Sequence, residues 1–277
     1  MSQPVRAAPE SSVDDVLAGV GYRSAAGVAT LTFDRPDRAN AMDMAMQARY
    51  GALLREATAD PAVRAVVVTG RGRSFCPGAD LGLLDGISSG PAPESDRSET
   101  FRDVLAAAFT PKPVIAAING GCAGLGLVLA CAADLRFAAA GAKFTTAFSR
   151  RGLIAEYGVA KLLPELIGRG RAADLLLSGR TFTAEQAFDY GLVQEVVPAA
   201  ELADRTHAYA TELATYSAPR SMAVIKDQLL RDPAMTLETA ASAATALMLE
   251  SFGHPELSEG LASWNERRPP NFPPYSA

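Results

Sequence analysis

Short apolar runs rich in Val and Ile alternate with longer Ala/Leu segments through the first half of the chain, and nothing else in the sequence restricts the fold as strongly. Residues 28–33, 65–68, 114–118 and 135–138 are runs of strand length, while 44–57 and 125–133 are segments of helix length lying between them. This order predicts an α/β layered fold, because strands laid side by side in parallel need crossover helices to return the chain across the sheet face. Asp34, Arg35 and Pro36 end the first run, and Asn40 is placed to cap the helix that follows.

Beyond about residue 198 the pattern turns entirely helical, with 201–216, 219–230 and 237–252 as amphipathic candidates for a C-terminal appendage. The stretch 86–99 (GISSGPAPESDRSE) has no apolar period and predicts a mobile loop, and the proline-rich tail RRPPNFPPY must lie extended. The expected division is a disordered lead over 1–15, an α/β core over 16–198 and a helical region over 199–277.

With 277 residues, 48% of them hydrophobic and 21% charged, the chain can bury one large core. A net charge of -5 argues against a sequence-independent nucleic-acid binder, which needs a concentrated positive surface. The longest apolar region, 114–140, is broken by Asn119, several glycines, Asp134 and Arg136, so no membrane span is expected. The N-terminus lacks the apolar centre of a signal peptide, which makes the cytoplasm the expected location. Cys76, Cys122 and Cys131 form no C-x-x-C pair, as suits a reducing compartment, and His207 and His254 stand alone, so no zinc site is expected.

Two stretches carry candidate chemistry. Ser74-Phe75-Cys76-Pro77-Gly78-Ala79-Asp80-Leu81 follows a strand-like run. Gly78 permits a close backbone approach, and Asp80 can cap a following turn while leaving the Ala79 N–H free. Alone, this string fits a plain strand-to-helix turn more readily than a ligand loop. In the second stretch, Lys112-Pro113 opens a buried strand that runs into Asn119-Gly120-Gly121-Cys122-Ala123-Gly124-Leu125-Gly126 and then an apolar helix. The first-turn N–H groups of that helix would face whatever precedes it, as an anion requires. Gly124 and Gly126 lack the third glycine of a dinucleotide fingerprint, and the glycines taken alone fit close helix packing equally well.

In this order the two stretches resemble the crotonase (enoyl-CoA hydratase/isomerase) superfamily. Further matches are Asp34-Arg35-Pro36 with Asn40-Ala41-Met42, Leu163-Pro164, Ile167-Gly168, Leu175 to Gly179, Phe182-Thr183-Ala184, Gly191-Leu192-Val193, Val196-Val197-Pro198 and Lys226, covering residues 20–272. The resemblance implies a spiral core of ββα units with a helical C-terminal trimerisation region, assembled as homo-trimers or hexamers. It implies an acyl-CoA substrate, with coenzyme A as part of that substrate and no permanently bound cofactor. The thioester oxygen would be held by the backbone N–H groups of Ala79 and Leu125, each such donor being worth about 2.7–4 kcal/mol in a transition state. The family commonly has Gly where Leu125 stands, so Leu125 would be strained if that position needs positive φ. The resemblance sets CoA against Arg38, Ala39, Ala41, Pro77, Asp80 and Leu81. Arg38 would meet a phosphate there, or remain a solvated turn residue.

The hydratases of that family use two glutamates, at positions that here fall on Val128 and Phe148. Each acid–base role is worth about 10²–10⁴ in rate, so a poor hydratase is expected. Glu156 instead stands where 3-enoyl to 2-enoyl isomerases, and ring-opening relatives with Asp, carry a single acid/base. Its plain alternative is a surface loop residue beside a silent site. Tyr157 is a possible hydrogen-bonding neighbour, and Arg150 and Arg151 are either solvated or directed at an acidic substrate tail or another subunit. Three outcomes stay open: an isomerase, a hydratase or hydrolytic relative relying on Glu156, and a non-catalytic acyl-CoA binder.

Overall fold

The Val- and Ile-rich runs come together in one sheet. The structure is a computed structural model that describes residues 15–80, 82 and 97–275. Among the described residues, a seven-stranded sheet has the order β1 (Asp15–Leu17), β2 (Val20–Ala25), β3 (Val28–Phe33), β4 (Ala65–Gly70), β6 (Val114–Ile118), β8 (Leu135–Ala139) and β11 (Glu195–Val197). From β3 to β11 neighbouring strands are parallel, while β1, β2 and β3 form an antiparallel meander. A second sheet, which the sequence pattern does not announce, joins β10 (Phe182–Thr183), β9 (Lys143–Thr145), β7 (Gly121–Ala123) and β5 (Ser74–Cys76).

Helices cover both faces of the larger sheet. The helix α1 (Met44–Ala59) buries Met46, Tyr50, Leu53, Leu54 and Ala57. Its cap is Asp43, whose carboxylate accepts from the Met46 N–H, and not Asn40. Asn40 is fully buried three residues earlier, where it accepts from the Arg35 N–H and donates to the carbonyls of Arg71 and Ser74. The expected loop over 86–99 lies outside the described residues as far as 96. Its last three residues belong instead to helix α2 (Arg97–Val104), which is followed by α3 (Ala106–Phe109). That helix begins in purely polar sequence, ahead of Phe101 and Val104, so no apolar period marks its start.

The helix α4 (Leu125–Ala132) is buried along its whole length, and α5 (Val159–Ile167), α6 (Arg169–Ser178) and α7 (Ala184–Asp189) complete the layer over the smaller sheet. On the opposite face, α8 (Leu202–Tyr216) sets Leu202, Ala210 and Ala214 against Val28, Val67, Ile115 and Phe137. Helices α9 (Pro219–Arg231), α10 (Leu237–Phe252) and α11 (Pro255–Glu266) follow. The last of these escapes sequence patterning because a central glycine and few apolar residues weaken its period, although Pro255 at its first position favours it. Among the described residues no helix is long and apolar enough to cross a membrane.

Candidate active site

The two candidate donors are set by the smaller sheet. Cys76 on β5 and Cys122 on β7 are register partners in parallel strands, and Ala79 and Leu125 each stand three residues beyond that pair. Gly78 (φ +115°) and Gly124 (φ +50°) turn the two chains out of the sheet side by side. A Cβ at Gly78 would lie a tight 3.2 Å from the Ala123 oxygen and 3.6 Å from the Leu125 nitrogen, and the positive φ of Gly78 disfavours any side chain.

Ala79 is flanked by two bonds to Met42. The Met42 N–H donates to the Gly78 carbonyl at 2.9 Å, and the Asp80 N–H donates to the Met42 carbonyl at 2.9 Å. The Ala79 N–H takes no part in this bridge and has no partner among the described residues. Leu125 is the first residue of α4, so its N–H is one of the helix's orphan donors and is likewise unpaired among the described residues. Positive φ belongs to Gly124 and not to Leu125, which removes the strain expected at the leucine.

Ala79, Leu125 and Glu156 line one cleft with a free volume of about 20 Å³, which holds roughly a single water molecule. Glu156 is half-buried in the loop before α5, and its carboxylate makes no hydrogen bond or ion pair among the described residues. Burial raises its pKa above the ordinary carboxylate value. Tyr157 follows in the left-handed region (φ +48°), and its phenol is pushed up by burial and by the Glu156 charge. Phe148 also lines the cleft and Val128 is buried in α4, so neither hydratase position offers an acid or base. Arg151 lines the cleft as well, whereas Arg150 donates to the Ser178 carbonyl at 2.8 Å.

The positions assigned to CoA by resemblance gather on the neighbouring turn. Arg38 and Ala39 are exposed between β3 and α1, Ala41 adjoins the Met42 bridge, and Pro77 precedes Gly78. Arg38 meets the Asp80 carboxylate at 3.3 Å, and Asp80 also caps the Gly82 N–H at 3.0 Å. That N–H bond, followed by the charges of Arg38 and Arg35, holds Asp80 below the ordinary carboxylate range. Leu81 lies outside the described residues. Arg35, which the sequence offered only as part of a motif, joins Asp43 at 2.8 Å to Asp80 at 3.4 Å and so ties the turn to the Ala79 loop. Among the described residues no cluster of three or more His, Cys, Asp or Glu is disposed to hold a metal ion.

Comparison with known proteins gives the same picture. A family model described as enoyl-CoA hydratase/isomerase matches residues 23–274. The "1,2-epoxyphenylacetyl-CoA isomerase" of Escherichia coli (strain K12) is 37% identical over 249 residues, covering 89% of this chain and 95% of that protein. A "probable enoyl-CoA hydratase" of Rhodobacter capsulatus is 35% identical over 254 residues, covering 91% and 97%. A crystal structure of a "probable enoyl-CoA hydratase/isomerase" from Mycobacterium abscessus superposes with a TM-score of 0.86 at 32% identity, covering 92% of this chain and 99% of that one. The chain belongs to the enoyl-CoA hydratase/isomerase family, with the crotonase fold and the CoA-thioester chemistry of that family.

Proposed function

We propose that this enzyme binds an acyl-CoA with its thioester oxygen at the Ala79 and Leu125 N–H groups and converts a 3-enoyl-CoA to the 2-enoyl-CoA, with Glu156 as the single acid/base. The observation that carries this reading is that two unpaired amides and one unpaired, desolvated carboxylate open onto the same cleft. The Glu156 carboxylate takes a proton from C2, and the electron pair moves onto the thioester oxygen as an enolate. The two amides stabilise that charge, each by about 2.7–4 kcal/mol. The same carboxyl returns the proton to C4, which leaves the double bond between C2 and C3.

Removing one proton and returning it elsewhere needs one acid/base, which suits a cleft in which Val128 and Phe148 supply none. The cleft must widen from the volume of a single water molecule to take the reacting carbons, which would then lie beside Glu156, Leu153 and Arg151. CoA lies along Arg38, Ala39, Ala41, Pro77, Asp80 and Leu81, with the Arg38 guanidinium shared between Asp80 and a phosphate. The assembly is a homo-trimer or hexamer working in the cytoplasm.

The test is to mix the protein separately with a 3-enoyl-CoA and a 2-enoyl-CoA and to follow the absorbance of the conjugated thioester. Glu156→Gln is expected to slow isomerisation about 10²–10⁴-fold. Isomerisation that survives this substitution undiminished removes Glu156 from the mechanism. Efficient hydration by the unaltered protein establishes a hydratase, and tight binding without turnover a silent binder.

A further inference from the structure

Arg136 on β8 is 1% exposed, and its guanidinium is held entirely by main-chain oxygens. Its Nη1 donates to Ala130 at 3.2 Å and Ala133 at 2.7 Å, Nη2 to Asp134 at 3.3 Å, and Nε to Leu192 at 2.6 Å. Ala130 lies in the last turn of α4 and Ala133 is its C-terminal cap residue, so the charge sits on the carbonyl end of the helix whose first N–H belongs to Leu125. No carboxylate accepts from this guanidinium. The nearby Asp134 carboxylate is bonded to Lys226 Nζ at 2.7 Å and to the Val114 N–H at 2.7 Å. Two cations and one anion therefore leave a net positive charge at that end.

A buried ion is costly, and an apolar side chain of similar volume commonly serves packing as well. A charge kept here points to an electrostatic task. The eight residues of α4 span about 12 Å. They lie in the protein interior, where a cation on the carbonyl end is poorly screened and reinforces the positive N-terminal end.

We infer that Arg136 is a positioning residue for the enolate chemistry: its charge on the carbonyl end of α4 strengthens and aims the Leu125 amide at the thioester oxygen. The inference rests on the role proposed above for Leu125. Arg136 touches neither substrate nor the reacting atoms.

Butanoyl-CoA carrying ¹³C at the thioester carbonyl, bound to the full-length protein, tests this by vibrational difference spectroscopy. In the unaltered protein the carbonyl stretch is expected to fall on binding. With Arg136→Gln the fall shrinks, and kcat for 3-enoyl-CoA drops about tenfold, equivalent to about 1.4 kcal/mol. KM stays within about twofold. Arg136→Lys keeps the charge with fewer donors and is expected to retain most of the fall. Lys226→Met leaves Asp134 uncompensated and is expected to reduce the fall, which covers the case in which Arg136→Gln does not fold. A folded Arg136→Gln protein with the full shift overturns the inference, as does an Arg136→Lys protein that loses as much as Arg136→Gln. Absence of any shift in the unaltered protein overturns the reading of the two amides and this inference together.

Discussion

If Glu156 is the acid/base proposed above, its burial costs stability at neutral pH, and both effects are measurable. Burial holds its pKa above the ordinary value, so the ionised form is less favourable in the folded chain than in the unfolded one. A group raised in this way contributes stability below the ordinary carboxylate range and loses that contribution as pH climbs through the raised value. Glu156→Gln is therefore expected to raise the melting temperature at neutral pH, with the difference shrinking towards pH 4. An equal difference at both pH values would show that ionisation is not its source. For catalysis the sign is opposite, because the base must be ionised. The acid limb of kcat/KM is expected to fall through a pKa above that of an ordinary glutamate, and a limb at the ordinary value would separate Glu156 from proton transfer. The motifs around 79, 125 and 156 mark these positions as candidates, and the structure brings all three to one cleft. The sequence also anticipates a free Ala79 N–H and an unpaired first-turn N–H at Leu125, but not the Met42 bonds to Gly78 and Asp80 that pass over Ala79.

At the scale of elements, long periodic segments were readable and short ones were not. The strands β5, β7, β9 and β10 have two or three residues each, too few for any alternation to show, and β7 lies inside a glycine-rich stretch that looks like a turn. Asn40, which the sequence offers as the cap of α1, is taken up by buried bonds to Arg35, Arg71 and Ser74, and Asp43 caps the helix instead. Gly126 shows what glycine does here besides turning the chain. A Cβ there would meet the Cys76 carbonyl oxygen at 2.1 Å, so α4 lies directly on β5. Gly126→Ala must push the helix outwards, and a loss of about 1–3 kcal/mol is expected in denaturant titration. On the proposed reading, 3-enoyl-CoA isomerisation should slow with it, since the same shift moves the Leu125 amide. An alanine variant of unchanged stability and rate would mean that the helix has slack at this contact.

For the molecule as a whole, the C-terminal helices leave much apolar surface uncovered. Helix α10 has no buried residue, Leu237 is 86% exposed, and Trp264 on α11 is 84% exposed. Apolar side chains this open on neighbouring helices suit a surface that a second copy of the chain covers. The expected mass in sedimentation is that of three or six chains, and Leu249→Asp on the open face of α10 is expected to lower it. A single-chain mass for the unaltered protein would remove the assembly from the proposal. The pairing of Cys76 with Cys122 has a consequence for how such a protein changes its trade. Two backbone segments leave adjacent strands side by side, starting from a strand spacing of about 4.8 Å. On the proposed reading, side-chain substitutions at 128, 148 and 156 would change which proton moves, and where, while the two main-chain donors at 79 and 125 stay in place.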